Sequence, residues 1–153
     1  SLYKSVLHHP GNTLPRWFLE AIGIYVSRLN SCRYCVDHHF AGMRRLLADD
    51  RRAEAIREAL QRDEPELAFE GPHLALLQYA RVLTLEPAKV SRTLVDELRA
   101  AGIEDGWLLE VNQVVAYFCY ANRTVLGLGV TTQGEVLGLS PGHAEGPDDW
   151  QHR

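Results

Sequence analysis

Residues 16–47 read RWFLEAIGIYVSRLNSCRYCVDHHFAGMRRLL, two runs of helical period that meet at Asn30 and Ser31. The first run follows Pro15, whose fixed φ already suits a helix and whose missing N–H costs nothing in a first turn. It is expected to end near Asn30. Ser31 then reads as the N-cap of the second helix, its hydroxyl placed to accept a first-turn N–H. Cys32 and Cys35 fall in that first turn and His39 lies four residues further on.

The rest of the chain extends the same pattern. Asp49 and Asp50 are expected to cap a charged third helix, RRAEAIREALQR, in a solvated outer position. Pro72 opens HLALLQYARVLTL and Pro87 closes it, while Ser91 starts RTLVDELRAAG with Gly102 as its stop. The last helix, DGWLLEVNQVVAYFCYANRTVLGL, is apolar around most of its circumference and is expected in the core and in a subunit contact. No stretch alternates like a strand, so the fold class is all-α. One domain over residues 1–153 suits this length, with a tail of little regular structure from about residue 130.

Composition narrows the function. The chain is 46% hydrophobic and 24% charged with formal net charge −4, which fits a soluble, mildly acidic protein and argues against a nucleic-acid partner. VVAYFCYA is far shorter than the roughly 20 apolar residues that cross a bilayer. The amino end lacks the apolar segment and cleavage site of a signal peptide, and three cysteines make no disulfide framework. The expected location is therefore cytoplasmic, with no membrane partner.

In a reducing compartment, a Cys-x-x-Cys pair suggests chemistry or metal rather than a staple. Helical geometry puts Cys35 and His39 on one face, about 6 Å apart along the axis. The imidazole is thus close enough to take the thiol proton directly or through a water, leaving the reactive thiolate. Cys32 and Cys35, three apart, have Cα atoms at roughly 5 Å, within disulfide range. Cys32 also sits at the positive end of the helix dipole, which makes it the thiol expected to be more exposed and more easily ionised.

If the two helices reverse near Asn30 and pack antiparallel, Glu20 comes level with His39 and can orient and activate its ring. Gly23 and Ser27 keep part of that face small. A zinc or iron clip remains an alternative, although no second Cys or His pair follows at ligand spacing. Two buried thiols beside a surface histidine are another. The haem c pattern is excluded because Val36, not His, follows Cys35. His8 and His9 in a frayed amino end, and His73, read as solvated; Cys119 reads as a buried core thiol.

Glu20, Cys32 twelve residues later, Cys35, and His39 four beyond resemble the Glu…Cys-x-x-Cys-x-x-x-His signature of the alkyl hydroperoxidase D (AhpD) branch of the carboxymuconolactone decarboxylase-like superfamily. The likeness continues through LPRWFLEAIGIYVSRLNSCRYC and through the segment from LLQYARVLTL to VLGLGV, covering most of residues 10 to 130. It implies an all-helical, AhpD-like homo-oligomer in antioxidant defence, with thiol peroxidase or disulfide reductase activity and no metal or haem cofactor. At the matching positions it implies that Glu20 and His39 relay protons, Cys35 is the thiol they serve, and Cys32 is its disulfide partner. The implied partners are a hydroperoxide substrate and an external dithiol donor, lipoyl-type or thioredoxin-like.

One position departs from the better-studied members, which carry a histidine inside the pair where this chain has Tyr34. His38 is adjacent but not equivalent. Two other functions compete. A lactone decarboxylase like the superfamily's namesake does not depend on the cysteine pair. A non-enzymatic redox sensor or adaptor would use the same disulfide to alter a binding surface, and only turnover separates it from a peroxidase.

Overall fold

The structure is a computed structural model in which residues 2–134 and Leu137 are described. All regular structure among them is helical: α1 (Leu2–Leu7), α2 (Arg16–Leu29), α3 (Arg33–Leu47), α4 (Asp50–Gln61), α5 (Gly71–Leu85), α6 (Arg92–Ala100) and α7 (Asp105–Leu128), with 3-10 turns at Pro65–Leu67 and Pro87–Lys89. Most of the expected tail lies outside the described residues.

Helix α2 is the axis of the fold. Every residue from Phe18 to Ser27 is buried, because α3, α4, α5 and α7 all pack against it. Apart from Glu20 the run FLEAIGIYV carries no charge, and a helix apolar on nearly all sides is stable only when covered on all sides. Burying each of its large side chains contributes about 1.5–3 kcal/mol. Gly23 supplies the closest approach, since a Cβ there would lie 2.3 Å from two atoms of the Phe118 ring on α7. The small face of α2 therefore receives α7.

The junction of α2 and α3 differs from expectation in a way that matters for the site. Ser31 does not cap α3. Its φ is +59°, and it ends α2 in a Schellman motif, with Ser31 N–H bonded to Arg28 O and Cys32 N–H to Ser27 O. The N-cap of α3 is Cys32, with no side-chain cap. The left-handed residue reverses the chain within two positions, so α3 runs back along α2 and lays Cys35 and His39 against it. Other helix ends follow the expected residues: Asp49 accepts from Arg52 N–H at 3.0 Å, Ser91 from Leu94 N–H at 3.2 Å, and Gly102 terminates α6 at φ +87°.

Helix α4 sits on the outside and still buries Ala53, Ile56, Ala59 and Leu60 along one stripe. The amino end is not frayed. Helix α1 packs on α7 and α2 with Leu7 buried, and Glu110 fastens the chain after it by accepting from Thr13 and Leu14 N–H at 2.8 and 2.9 Å. His73 is half-buried, not solvated, with its ring stacked 4.1 Å from Phe18. Among the described residues no helix is long and apolar enough to cross a membrane.

Candidate active site

The four residues singled out in sequence form two contacting pairs along α2 and α3, Glu20 with His39 and Cys32 with Cys35, with α1 reaching the first through Tyr3. Antiparallel packing of α2 and α3 brings Glu20 Oε2 to 2.6 Å from His39 Nδ1. Tyr3, from α1, donates its hydroxyl to Glu20 Oε1 at 2.8 Å. Both carboxylate oxygens are thus engaged inside the protein. Burial alone would raise the Glu20 pKa, but the charge of His39 and the hydrogen bonds from His39 and Tyr3 outweigh it and hold the carboxyl below its ordinary value.

An ionised Glu20 can only accept. It therefore fixes the proton of His39 on Nδ1 and leaves Nε2 as the nitrogen able to take another. The ring is held from two more sides: Phe118 meets it edge-on at 4.5 Å, and the Tyr3 ring lies 5.8 Å away. Gly42, on the same face of α3, faces the Glu20 carboxylate, and a Cβ there would sit 3.8 Å from it.

One turn before His39, the two sulfurs of Cys32 and Cys35 lie 2.7 Å apart, the Cys32 thiol donating to Cys35. Both cysteines are free thiols. The expectation that Cys32 is the exposed one is overturned: Cys32 is 0% exposed and Cys35 4%. The Schellman turn that carries Cys32 tucks it under the end of α2, so position at a helix start does not bring solvent. Burial, followed by the hydrogen bond from Cys32, pushes the Cys35 thiol up to about 12, against a smaller downward pull from the Asn122 side chain. Tyr117 of α7 is likewise pushed up to about 12 by burial and by the nearby Cys35 and Glu20.

Two groups here escaped the sequence reading. Tyr3 reaches Glu20 from a segment with no motif of its own. Asn122 is fully buried on α7, where its amide donates to Ser27 Oγ at 2.9 Å and its oxygen accepts from Asn30 at 3.0 Å. A buried Asn in an apolar helix was a legible signal, because buried amides demand partners. Cys119 is half-buried rather than fully enclosed, and Asn30 Nδ2 lies 3.6 Å from its sulfur. Tyr34 and His38, on the outer side of α3, meet at a tilt of 41° with centroids 4.6 Å apart. His8 is half-buried against Tyr3 at 5.0 Å and in contact with Arg16. Among the described residues no group of three or more His, Cys, Asp or Glu gathers as metal ligands do.

No protein-family model matches the chain, and no curated protein matches it either. Solved structures do. An uncharacterized peroxidase-related protein from Silicibacter sp. TM1040 superposes with a TM-score of 0.75 at 22% identity, over 85% of this chain and 65% of its own. This chain thus spans about two thirds of that protein's length. The alkylhydroperoxidase AhpD core of an uncharacterized peroxidase-related protein from Ralstonia eutropha JMP134 gives 0.75 at 20% identity, over 89% and 72% of the two chains. A protein of unknown function from Agrobacterium tumefaciens, provisionally named an antioxidant defence protein AhpD, gives 0.67 at 20% identity, over 85% and 84%. The helix order and packing described above are therefore those of the AhpD-like fold.

Proposed function

We propose that this protein is a thiol-dependent peroxidase or disulfide oxidoreductase that cycles the Cys32–Cys35 pair, with Glu20 and His39 moving the proton. The observation that carries the reading is the continuous chain from Tyr3 through Glu20 to His39, ending one helical turn from two sulfurs in contact. A thiol held near 12 is almost entirely protonated at neutral pH. A base four residues on along the same face of α3 has a task that a structural thiol would not need, namely to take the proton as the sulfur attacks.

The cycle runs as follows. His39 Nε2 takes the Cys35 proton, and the thiolate attacks the distal oxygen of a hydroperoxide ROOH, breaking the O–O bond. Cys35 becomes a sulfenic acid and RO⁻ leaves as ROH with the proton returned by His39. The Cys32 thiol then attacks the sulfenic sulfur, releasing water and closing the disulfide, which from a 2.7 Å separation requires little movement. An external dithiol supplies the two electrons and two protons that reopen it, leaving as its own disulfide. A reducing compartment such as the cytoplasm suits that reset.

Assembly into a homo-oligomer belongs to the same reading. Helix α7 buries only one stripe, from Leu108 to Asn122, and leaves Leu109 and Tyr120 61% and 62% exposed outside it; sedimentation velocity measures the assembled mass. The direct test is peroxide consumption with a dithiol donor for wild type, Cys32→Ser, Cys35→Ser, His39→Ala and Glu20→Gln. Turnover should vanish in both cysteine variants and fall about 10²–10⁴-fold without the base. Wild-type turnover in all four ends the proposal.

A further inference from the structure

A cavity of about 390 Å³ opens near the amino end, between the turn that follows α1 and the first residue of α2. Its polar walls are His8, His9, Asn12 and Arg16, its apolar walls include Leu7 and Leu14, and no carboxylate is among them. Among the described residues Arg16 pairs with no carboxylate; its guanidinium donates to His8 Nδ1, a contact that ties the long side chain to the wall. An arginine carries five N–H donors, so most remain for a ligand. The carboxylates of the neighbouring elements are engaged elsewhere: Glu110 accepts from Thr13 and Leu14 N–H, and Glu20 meets Tyr3 and His39. The pocket thus sets one uncompensated positive charge over an apolar floor, with Leu7 and Leu14 only 2% and 4% exposed. We infer that it is a binding site for a small organic carboxylate, the head held by Arg16 with His8 beside it and the apolar body laid on Leu7 and Leu14.

Size and lining select that class. The volume falls within the roughly 300–1,000 Å³ of small-molecule sites, far more than a lone inorganic ion fills. A planar guanidinium matches the two oxygens of a carboxylate, and leucine walls favour an apolar body over a hydrated ion. His8 and His9 add donors: each accepts at Nδ1, from Arg16 and from Gly11 N–H, which puts the proton of the neutral ring on Nε2. Burial and then the Arg16 charge hold His8 below its ordinary value, Lys4 and His39 push the same way, and only Glu20 opposes them. An anion beside His8 favours its charged form, so binding takes up a proton and strengthens as pH falls. The Tyr3 ring stands between pocket and relay, 5.0 Å from His8 and 5.8 Å from His39. The site is therefore distinct from the sulfurs, and the inference does not depend on the peroxidase reading.

The test is isothermal titration calorimetry of the reduced full chain with three probes: hexanoate, hexanamide, which keeps the body but not the charge, and inorganic phosphate, which keeps the charge but not the body. Hexanoate should bind saturably, and the other two about tenfold more weakly or worse. Between about pH 8 and pH 6, where hexanoate stays ionised, its affinity should rise about threefold or more, and His8→Gln should flatten that rise. Arg16→Gln should weaken hexanoate about tenfold or more, with Arg16→Lys in between because it restores the charge without the fork. Circular dichroism checks that the variants fold; if Arg16→Gln does not, the three probes and the pH series on the wild type decide the matter. Absence of hexanoate binding overturns the inference, as do hexanamide or phosphate binding as tightly as hexanoate, a wild-type affinity that is flat in pH, or wild-type affinity in folded Arg16→Gln.

Discussion

Two glycines in the middle of helices, Gly23 in α2 and Gly42 in α3, should respond to alanine with opposite sign. Intrinsic propensity favours alanine at both by about 1 kcal/mol, since glycine loses more backbone freedom on folding. At Gly42 nothing opposes this gain: the new Cβ meets the Glu20 carboxylate at 3.8–3.9 Å, an ordinary contact. Gly42→Ala should therefore stabilise by about 0.5–1 kcal/mol. At Gly23 the new Cβ would lie 2.3, 2.3 and 2.9 Å from three atoms of the Phe118 ring, where carbon atoms normally rest about 3.5–4.0 Å apart.

The ring must retreat by more than an ångström, and Phe118 is itself fully buried, so α2 and α7 have to part. Overpacking of this kind costs about 3 kcal/mol, leaving a net loss of about 2 kcal/mol after the propensity gain. For a chain of this size that lowers Tm by about 4–8 °C. Because Phe118 also holds the His39 ring at 4.5 Å, peroxide turnover should fall with it. Urea denaturation followed by circular dichroism, at one protein concentration and with thiols reduced, reads both variants. If both shift in the same direction, the close approach of α2 and α7 is not what requires Gly23.

Two more expectations concern Glu20. Its folded pKa lies below the ordinary 4.5, so its ionisation stabilises the fold above about pH 4.5, and that contribution is lost as pH falls through the depressed value. Urea midpoints measured from pH 7 to pH 3 should therefore drop less steeply for Glu20→Gln than for wild type; parallel curves would show that this carboxylate is not held ionised by its partners. Tyr3→Phe removes one donor to the same carboxylate and should cost about 1–2 kcal/mol while moving the acid limb to higher pH. An unchanged midpoint and acid limb would mean that the Tyr3 hydroxyl does not help to hold the Glu20 carboxylate.

How far the site could be read in advance depended on sequence distance. Cys35 and His39 share a helix, and i,i+4 spacing fixes their common face whatever surrounds them. Glu20 is one hairpin away, and its level with His39 follows from counting residues on either side of a short reversal. Even there the reason for the reversal was misread: Ser31 looks like a cap, but it takes the left-handed conformation at φ +59° usually left to glycine. Helix punctuation by Asp49, Ser91 and Gly102 was legible because caps are local hydrogen bonds.

Tyr3 was not legible, and Asn122 was legible only as an amide in want of partners, not as to which partners. Tyr3 meets Glu20 across 17 residues and Asn122 meets Ser27 across 95, and no periodicity encodes contacts between helices so far apart in the chain. The exposure of the cysteines failed for a related reason. A helix start is solvated by default, but here Cys32 follows a turn that folds it beneath its neighbour.

The amino-acid sequence by itself therefore determined the all-helical class, most helix ends and the four-residue spacing of Glu20, Cys32, Cys35 and His39, because each depends on local geometry or a single reversal. The tertiary structure alone decided which groups close over that constellation. It buries both sulfurs, turns the small face of α2 toward Phe118, and brings Tyr3 to the Glu20 carboxylate and Asn122 to Ser27 and Asn30, since only packing sets which distant side chains must answer a buried polar group.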